Sequence, residues 1–337
     1  MIGKKQNYFL QYTKNMEKFN YSIIGCGNVA GDYEKKKKLK GIYTHGNAFS
    51  KIGYFNPLAC IDIKIKKANM FKKKWKFKYA SNKINFLNDL NNQLIIVSSN
   101  TSSHYKILSQ IIKLKKKPKI VLCEKPLTNN TNKCKNIIKK FKKENIFLAI
   151  NFHRRWDETT RKISYNIQKK LYGSLQGGYC IYNKGLLNTA SHIIDLFIFF
   201  FYKFKITHVG KKNYDYCNMD PSIPFTLKIN KSNINFLCMK NNKTNMLEIK
   251  LIFTKKIIET NDGGISWIIR PNKEKNILNY DFSFYKNKFF KKTYHNCFYN
   301  MAKNIYLFLH KDKKILSSGQ NALEVHKYIK KIFLNAK

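Results

Sequence analysis

A short apolar run, Ile120 to Cys123, stops at Glu124-Lys125-Pro126. Such a run suits a buried strand that delivers Glu124 and Lys125 to its carboxyl end. Pro126 removes a donor and fixes its own φ, so it ends the strand and holds the lysine in one place. In open α/β sheets ligands bind outside the carboxyl ends of the strands. A lysine there is a fixed cation in a cleft, suited to steadying a developing negative charge. The other reading is a solvated Glu-Lys pair in a lysine-rich chain, and the tripeptide alone does not decide between them.

A second constellation lies upstream. Tyr21-Ser-Ile-Ile-Gly-Cys-Gly-Asn-Val-Ala-Gly31 is a short apolar strand running into Gly25, Gly27 and Ala30 at the G-x-G-x-x-A spacing. Gly25 permits a tight turn, Gly27 lets the backbone approach a pyrophosphate, and Ala30 allows helix to pack closely on strand. Amides at the helix start then face the phosphates. Leu58-Ala-Cys-Ile-Asp62 supplies an acidic residue at the end of a second strand, able to accept hydrogen bonds from an adenosine ribose. That favours NAD over NADP, a preference softened by Lys64, Lys66 and Lys67. The separation from the glycines is long, and the lysine run and Gly-Ile-Tyr-Thr-His-Gly between Glu34 and Gly46 account for it as a loop. A structural turn at the glycines and a turn aspartate at Asp62 are the competing readings.

These residues need a sheet to position them. Leu94 to Ser98 reads as a buried strand, and Asn100-Thr-Ser-Ser-His104 has the capping chemistry of a helix start. Tyr105, Leu108 and Ile112 follow on one helical face. After the Cys123 strand come a helix with Cys134, Ile137, Ile138 and Phe141 inward and a strand from Phe147 to Ile150. Strands alternating with amphipathic helices argue for a parallel sheet covered on both faces. The fold class is thus α/β followed by α+β. Residues 1–19 read as a lead-in, disordered in part. A Rossmann dinucleotide-binding domain covers 20–150. A domain with a large, mainly antiparallel open sheet covers 151–337, its last helix returning to the first domain. In that second half a helix opens at Asn151-Phe-His-Arg-Arg-Trp-Asp157, a strand covers Leu175 to Asn183, and Gly185 to Asp195 leads into another helix. Several β-rich runs follow between Lys205 and Asp281, with turns at 213–215, 241–242 and 262–264. Helices over Thr293 to His310 and Gly319 to Leu334 close the chain.

The formal net charge of +46 suggests nucleic acid or an anionic surface. Against that, only Arg154, Arg155, Arg161 and Arg270 are arginines, and base and phosphate recognition favours the arginine fork. The lysines are spread through the chain with abundant Asn, Ile, Phe and Tyr, residues with A/T-rich codons. The composition therefore reads as genome-wide drift, with no specific nucleic-acid partner. No apolar run reaches the 18 or so residues of a spanning helix, the first 20 residues lack a signal-peptide core, and no membrane insertion is expected. The eight cysteines show no paired CxxC spacing, which fits a reducing, cytoplasmic setting and no metal site.

Taken together, the glycine turn, Cys-Glu-Lys-Pro-Leu, Asn-Phe-His-Arg-Arg-Trp-Asp and Ser-His-Ile-Ile-Asp-Leu resemble the Gfo/Idh/MocA family of sugar oxidoreductases. The resemblance runs from Tyr21 to the final helix and includes Ser-Ser-Gly-Gln-Asn-Ala-Leu-Glu near the end. Gly-Ile-Tyr-Thr-His and Tyr-Asn-Lys-Gly-Leu-Leu-Asn resemble members acting on bacterial surface-polysaccharide sugars. The resemblance implies that Lys125 touches the nicotinamide ribose and the reacting substrate oxygen, with His192 beside it as general acid/base. Histidine titrates near neutral pH, and a lysine cation stabilises charge on an alcohol oxygen. A helix-start histidine bonded to Asp195 is the plainer reading of His192.

The expected cofactor is NAD, with NADP open. Expected at the cofactor are Gly25, Gly27, Asn28, Val29 and Asp62, then Ser99, Asn100, His104, Glu124 and Lys125. Expected at the substrate are Lys125, Arg154, Arg155, Asn188 and His192. The arginines suit an acidic or phosphate-bearing substrate, unless they are a solvent-facing pair. The expected partner is a sugar or nucleotide-sugar, and alternating apolar residues in Met246 to Phe253 point to a homo-oligomer, dimer or tetramer. One departure matters: many family members carry an aspartate four residues before this histidine, where this chain has Asn188. His192 must then act without a neighbouring carboxylate or with one from elsewhere. A non-catalytic NAD-binding regulator on the same fold is the rival reading.

Overall fold

The computed structural model describes residues 17–33, 41–240, 243–272, 274–277, 280–283, 288–289 and 293–337. Most of the expected lead-in, the lysine run at 34–40 and the turn at 241–242 lie outside the described residues. Two compact units emerge. The first takes the described residues up to Cys123 with Lys139–Ala149 and Phe298–Ile315, and the second takes Glu124–Ile138, Ile150–Cys297 and Leu316–Lys337.

The first unit is built on a six-stranded sheet in the order β3-β2-β1-β4-β5-β6. Its strands are β1 (Phe19–Ile24), β2 (Phe55–Ile61), β3 (Tyr79–Ser81), β4 (Leu94–Val97), β5 (Ile120–Cys123) and β6 (Phe147–Ile150). The pairings β1 with β2, β1 with β4, β2 with β3 and β4 with β5 are all parallel. Every residue of β4 and β5 is buried, which explains their uninterrupted apolar sequence: both faces of a parallel sheet are covered. The covering helices include α1 (His45–Ile52), α2 (Ile65–Trp75) and α3 (Thr101–Ile111). From β1 the chain winds outward one way through β2 and β3 and the other way through β4, β5 and β6. The carboxyl ends of β1 and β4 are therefore a topological switch point, where a crevice opens.

Helix α4 (Thr131–Lys143) links β5 to β6. The second unit contains an eight-stranded sheet, β16-β13-β12-β11-β7-β10-β9-β8. Its central strands are β7 (Leu175–Tyr182), β10 (Ser232–Cys238) and β11 (Leu247–Phe253), flanked by β8 (Lys205–Val209), β9 (Phe225–Ile229), β12 (Lys256–Thr260), β13 (Ile268–Pro271) and β16 (Lys288–Phe289). The β10–β7 pairing is parallel and the others are antiparallel. A separate hairpin pairs β14 (Glu274–Ile277) with β15 (Tyr280–Ser283). Along β11, Leu247, Ile249, Leu251 and Phe253 are buried and the residues between them are half-buried, the period of a sheet with one face on a core.

Helices α5 (Glu158–Gln168), α6 (Ser191–Phe201) and α8 (Gly319–Asn335) belong to the second unit. Helix α6 is apolar nearly all round and buries Ile193, Ile194, Leu196, Phe197, Ile198 and Phe200, as a helix covered on every side must. Phe197 meets Phe236 of the sheet at 5.4 Å, and Phe204 stacks on Tyr328 of α8 at 4.1 Å. The helix that joins the first unit is the penultimate one, α7 (Cys297–Lys311). Its Tyr306 ring lies 5.9 Å from Phe19 and 4.5 Å from Tyr54. Among the described residues no helix is long and apolar enough to cross a membrane.

Candidate functional site

In the first unit a cleft of about 770 Å³ opens at the switch point, lined by Gly25, Gly27, Asp62, Ser99, Asn100 and neighbours. Local chemistry shapes it. Gly25 has φ +96°, and a Cβ there would lie 2.6 Å from the Ser99 nitrogen, so only glycine lets the turn close on β4. Gly27 differs: a Cβ there would meet nothing within 4 Å, so the missing side chain leaves open space along the cleft wall. A single π-type turn, Asn28–Asp32, follows in place of the expected regular helix start, with the Gly31 and Asp32 amides donating to the Gly27 oxygen. Asn28 is exposed and Val29 half-buried.

Asp62 sits at the end of β2 with both oxygens tethered. Oδ2 accepts from the Cys26 amide at 2.9 Å and Oδ1 from the Lys64 amide at 2.9 Å. The glycine turn and the acidic residue are thus one hydrogen-bonded assembly. Lys64, Lys67, Lys83 and Lys106 add positive charge to the walls. His104 is buried beneath this surface, its Nε2 2.9 Å from the Ser99 oxygen. It supports the Ser99–Asn100 segment.

The second unit holds the Lys125 cluster. The Lys125–Pro126 bond is cis. Lys125 Nζ donates to the main-chain oxygen of Asn188 at 2.9 Å, and Glu124 Oε1 accepts from Asn151 Nδ2 at 2.6 Å. Burial pulls the Lys125 pKa down to about 8; Arg154 pushes the same way, while Glu124 and Asp220 oppose it. The result is a cation that parts with its proton more readily than a surface lysine does.

His192 stands at the start of α6. Its ring lies 5.4 Å from that of His153 and 6.3 Å from that of Phe152. The residue is half-buried. Burial, then the charges of Lys125, Arg154 and His153, hold its pKa well below the ordinary histidine value. The plainer reading of His192, a bond to Asp195, is not what forms, because Asp195 is engaged by Arg155. Arg155 Nε and Nη2 grip the Asp195 carboxylate at 2.8 to 3.0 Å, and Nη1 donates to the Leu316 oxygen. Arg155 is neither a solvent-facing residue nor an open anion site.

Arg154 is held differently. Its Nε donates to the Gly263 oxygen at 2.6 Å, and its guanidinium lies over the Tyr294 ring. Gly263 and Gly264 have φ +75° and +79°, which lets their turn come up beneath the arginine. Tyr294 Oη is 2.7 Å from His153 Nε2. Lys125, Asn188, His192 and Arg154 are therefore gathered in one place, and Arg155 is set apart from them.

Three neighbours escaped the sequence reading: His153, Tyr294 and Asp220. The first lay inside the Asn-Phe-His-Arg-Arg-Trp-Asp motif and had a signal; the other two come from distant connections and had none. Among the described residues no cluster of three or more His, Cys, Asp or Glu is placed to hold a metal.

A parallel sheet with a glycine turn and a tethered acidic residue at its switch point defines a dinucleotide-binding α/β protein. The comparisons name the class. Residues 19–152 match the Gfo/Idh/MocA model, described as an oxidoreductase family with an NAD-binding Rossmann fold. Over this domain the chain is similar to the Gfo/Idh/MocA oxidoreductases, and the fold it matches there is an NAD-binding Rossmann fold. The open space at Gly27 and the close turn at Gly25 fit a pyrophosphate there.

Solved structures share the whole architecture. A super-repressor mutant of Gal80p from Saccharomyces cerevisiae is 13% identical with a TM-score of 0.77, covering 94% of this chain and 96% of that one. Levoglucosan dehydrogenase in complex with NADH and L-sorbose is 12% identical with a TM-score of 0.75, covering 95% and 97%. UDP-N-acetylglucosamine 3-dehydrogenase GnnA from Acidithiobacillus ferrooxidans is 11% identical with a TM-score of 0.73, covering 95% and 98%. Such identities speak for the fold alone. No curated protein sequence matches the chain.

Proposed function

We propose that the protein is an NAD(P)-dependent dehydrogenase or reductase acting on a secondary hydroxyl or ketone of a sugar, nucleotide-activated sugars included, in surface-polysaccharide synthesis. The observation that carries this reading is the pairing in one cluster of Lys125, tethered to the Asn188 oxygen with a lowered proton affinity, and His192, kept neutral by its surroundings. A neutral imidazole accepts the proton of an alcohol, and a lysine cation stabilises the charge left on the oxygen. The redox chemistry itself is supplied by the nicotinamide when bound. Arg154, fixed through Nε to the Gly263 oxygen and with Nη1 3.3 Å from His153 Nε2, has Nη2 to present to an acidic or phosphate-bearing part of the substrate. Asp62 favours NAD over NADP. The relatives named as sugar dehydrogenases support this reading. Its test is cofactor-linked turnover on a panel of sugars and nucleotide-sugars, with Lys125→Met and His192→Asn inactive and still able to bind NADH.

The second reading, a non-catalytic NAD-binding regulator, is favoured by Asn188 and by the likeness to a repressor. It expects saturable NADH binding with no turnover on any sugar. In either case we place the protein in the cytoplasm as a dimer or tetramer. The exposed Tyr179 and Leu237 on neighbouring strands β7 and β10 give the sheet an apolar surface to cover. A monomer at micromolar concentration in the ultracentrifuge rejects that assembly.

A further inference from the structure

We propose that Asp220 is a positioning residue for Lys125: from the connection between β8 and β9 it supplies the carboxylate that position 188 lacks, and it fixes the turn whose Asn188 oxygen holds the ammonium. This rests on the reading of Lys125 as the group that stabilises charge on the substrate oxygen.

The geometry is specific. Asp220 Oδ1 accepts from the Leu187 amide at 2.7 Å, and Oδ2 accepts from the Asn188 amide at 2.8 Å. Residue 188 is thus bound on both sides, its N–H to the Asp220 carboxylate and its carbonyl to Lys125. The turn it occupies, Leu186–Ala190, runs directly into α6 and so into His192. A carboxylate on amides at a helix start also meets the positive end of the helix dipole. The Asn188 side chain does not share this task, since its Nδ2 donates to the Lys184 oxygen at 3.1 Å.

The surroundings are built to admit the carboxylate. Gly185 has φ +90°, and a Cβ there would lie 2.2 Å from Asp220 Oδ2. The residues after Asp220 are anchored as well. The Leu186 amide donates to the Pro221 oxygen at 3.0 Å, and the Gly185 amide to Ser222 Oγ at 2.9 Å. The buried Tyr182 hydroxyl donates to the Ile223 oxygen at 2.5 Å and accepts from the Ile223 amide at 2.8 Å. The charges acting on Lys125 are Glu124 and Asp220 against Arg154, with His192 held neutral beside them. Without Asp220, Glu124 alone opposes Arg154 and the cost of burial.

The test reads the Lys125 titration directly, in the absence of substrate and cofactor. Lysines are tagged by carbon-13 reductive methylation, and the Lys125 signal is assigned by its loss in Lys125→Arg. In Asp220→Asn the midpoint is expected to fall further below its parent value. A midpoint that is unchanged, or that rises because burial is relaxed, overturns the proposal and leaves Asp220 a turn-capping residue. Should Asp220→Asn fail to fold, the coupling is read from the other side in Lys125→Met by following the Asp220 carboxyl, whose proton affinity must rise when the cation is removed. An unchanged carboxyl overturns the proposal equally. Because neither readout involves turnover, failure of the dehydrogenase reading would appear separately, as absent activity with an intact Lys125 shift.

Discussion

Lys125 Nζ meets Asn188 at its main-chain oxygen, 2.9 Å away, and makes no hydrogen bond to the Asn188 side chain. The ammonium is therefore directed by backbone geometry, and the side chain at 188 is free to differ without releasing the lysine. Asn188→Ala is expected to lower kcat by less than about tenfold. Lys125→Met, which removes the group proposed to act at the reacting oxygen, should lower it by about a hundredfold or more. Steady-state kinetics on the same substrate compare the two, and equal losses would contradict this division.

The pH dependence follows from the same cluster. His192 is held below the ordinary histidine value, so its proton-accepting form is present throughout the neutral range. Lys125 loses its proton at about 8. Under the proposed alcohol oxidation, which calls for neutral His192 and charged Lys125, kcat/KM is expected to be flat across neutral pH and to fall above about 8. Lys125→Arg, charged at all accessible pH values, should remove the alkaline fall in whatever activity it retains. A fall that persists in that variant assigns the limb to another group.

Much of this arrangement was legible in the sequence. Buried parallel strands announce themselves as apolar runs, and the Gly25, Gly27 and Lys125 positions carry motifs whose spacing has a physical reason. What could not be read depends on distant parts of the chain. Asp220 approaches from the connection before β9, 32 residues from the Asn188 amide it binds. Tyr294 reaches His153 from 141 residues away. Arg155 looked like an anion-binding or surface residue because its partner, Asp195, is 40 residues further on. The helical pattern after Asn151 also breaks, giving a short 3-10 turn at His153–Trp156 before α5, since Asp157 caps the next helix through the Thr160 amide.

The two glycines of the turn should separate stability from binding. Gly25→Ala forces a side chain against Ser98 and Ser99 backbone at positive φ and is expected to cost about 1–3 kcal/mol in denaturant unfolding. Gly27→Val places its side chain in open space along the cleft. It should keep the parent's stability and weaken NADH binding by about tenfold or more, roughly 1.4 kcal/mol. Unaltered NADH affinity in a folded Gly27→Val protein would remove the pyrophosphate from that position.

The Arg155–Asp195 pair has side chains only 5% and 2% exposed. Burial raises the Asp195 proton affinity in spite of the guanidinium, so the pair is costly to break and gives little net stability. Arg155→Met should destabilise the protein by about 3–5 kcal/mol, and the double replacement Arg155→Met with Asp195→Leu should recover most of that loss. Urea unfolding of the single and double variants measures it; a double variant as unstable as the single one would show that the pair itself is required.

The most direct test of the central claim couples binding to turnover in one preparation. Parent protein, Lys125→Met and His192→Asn are titrated with NADH at physiological salt, which suppresses loose attraction to so basic a chain. Each is then assayed for NAD-linked turnover on nucleotide-sugars. The expected result is saturable NADH binding by all three and turnover by the parent alone. Saturable binding with no turnover by the parent on any sugar would contradict the dehydrogenase and leave the NAD-binding regulator.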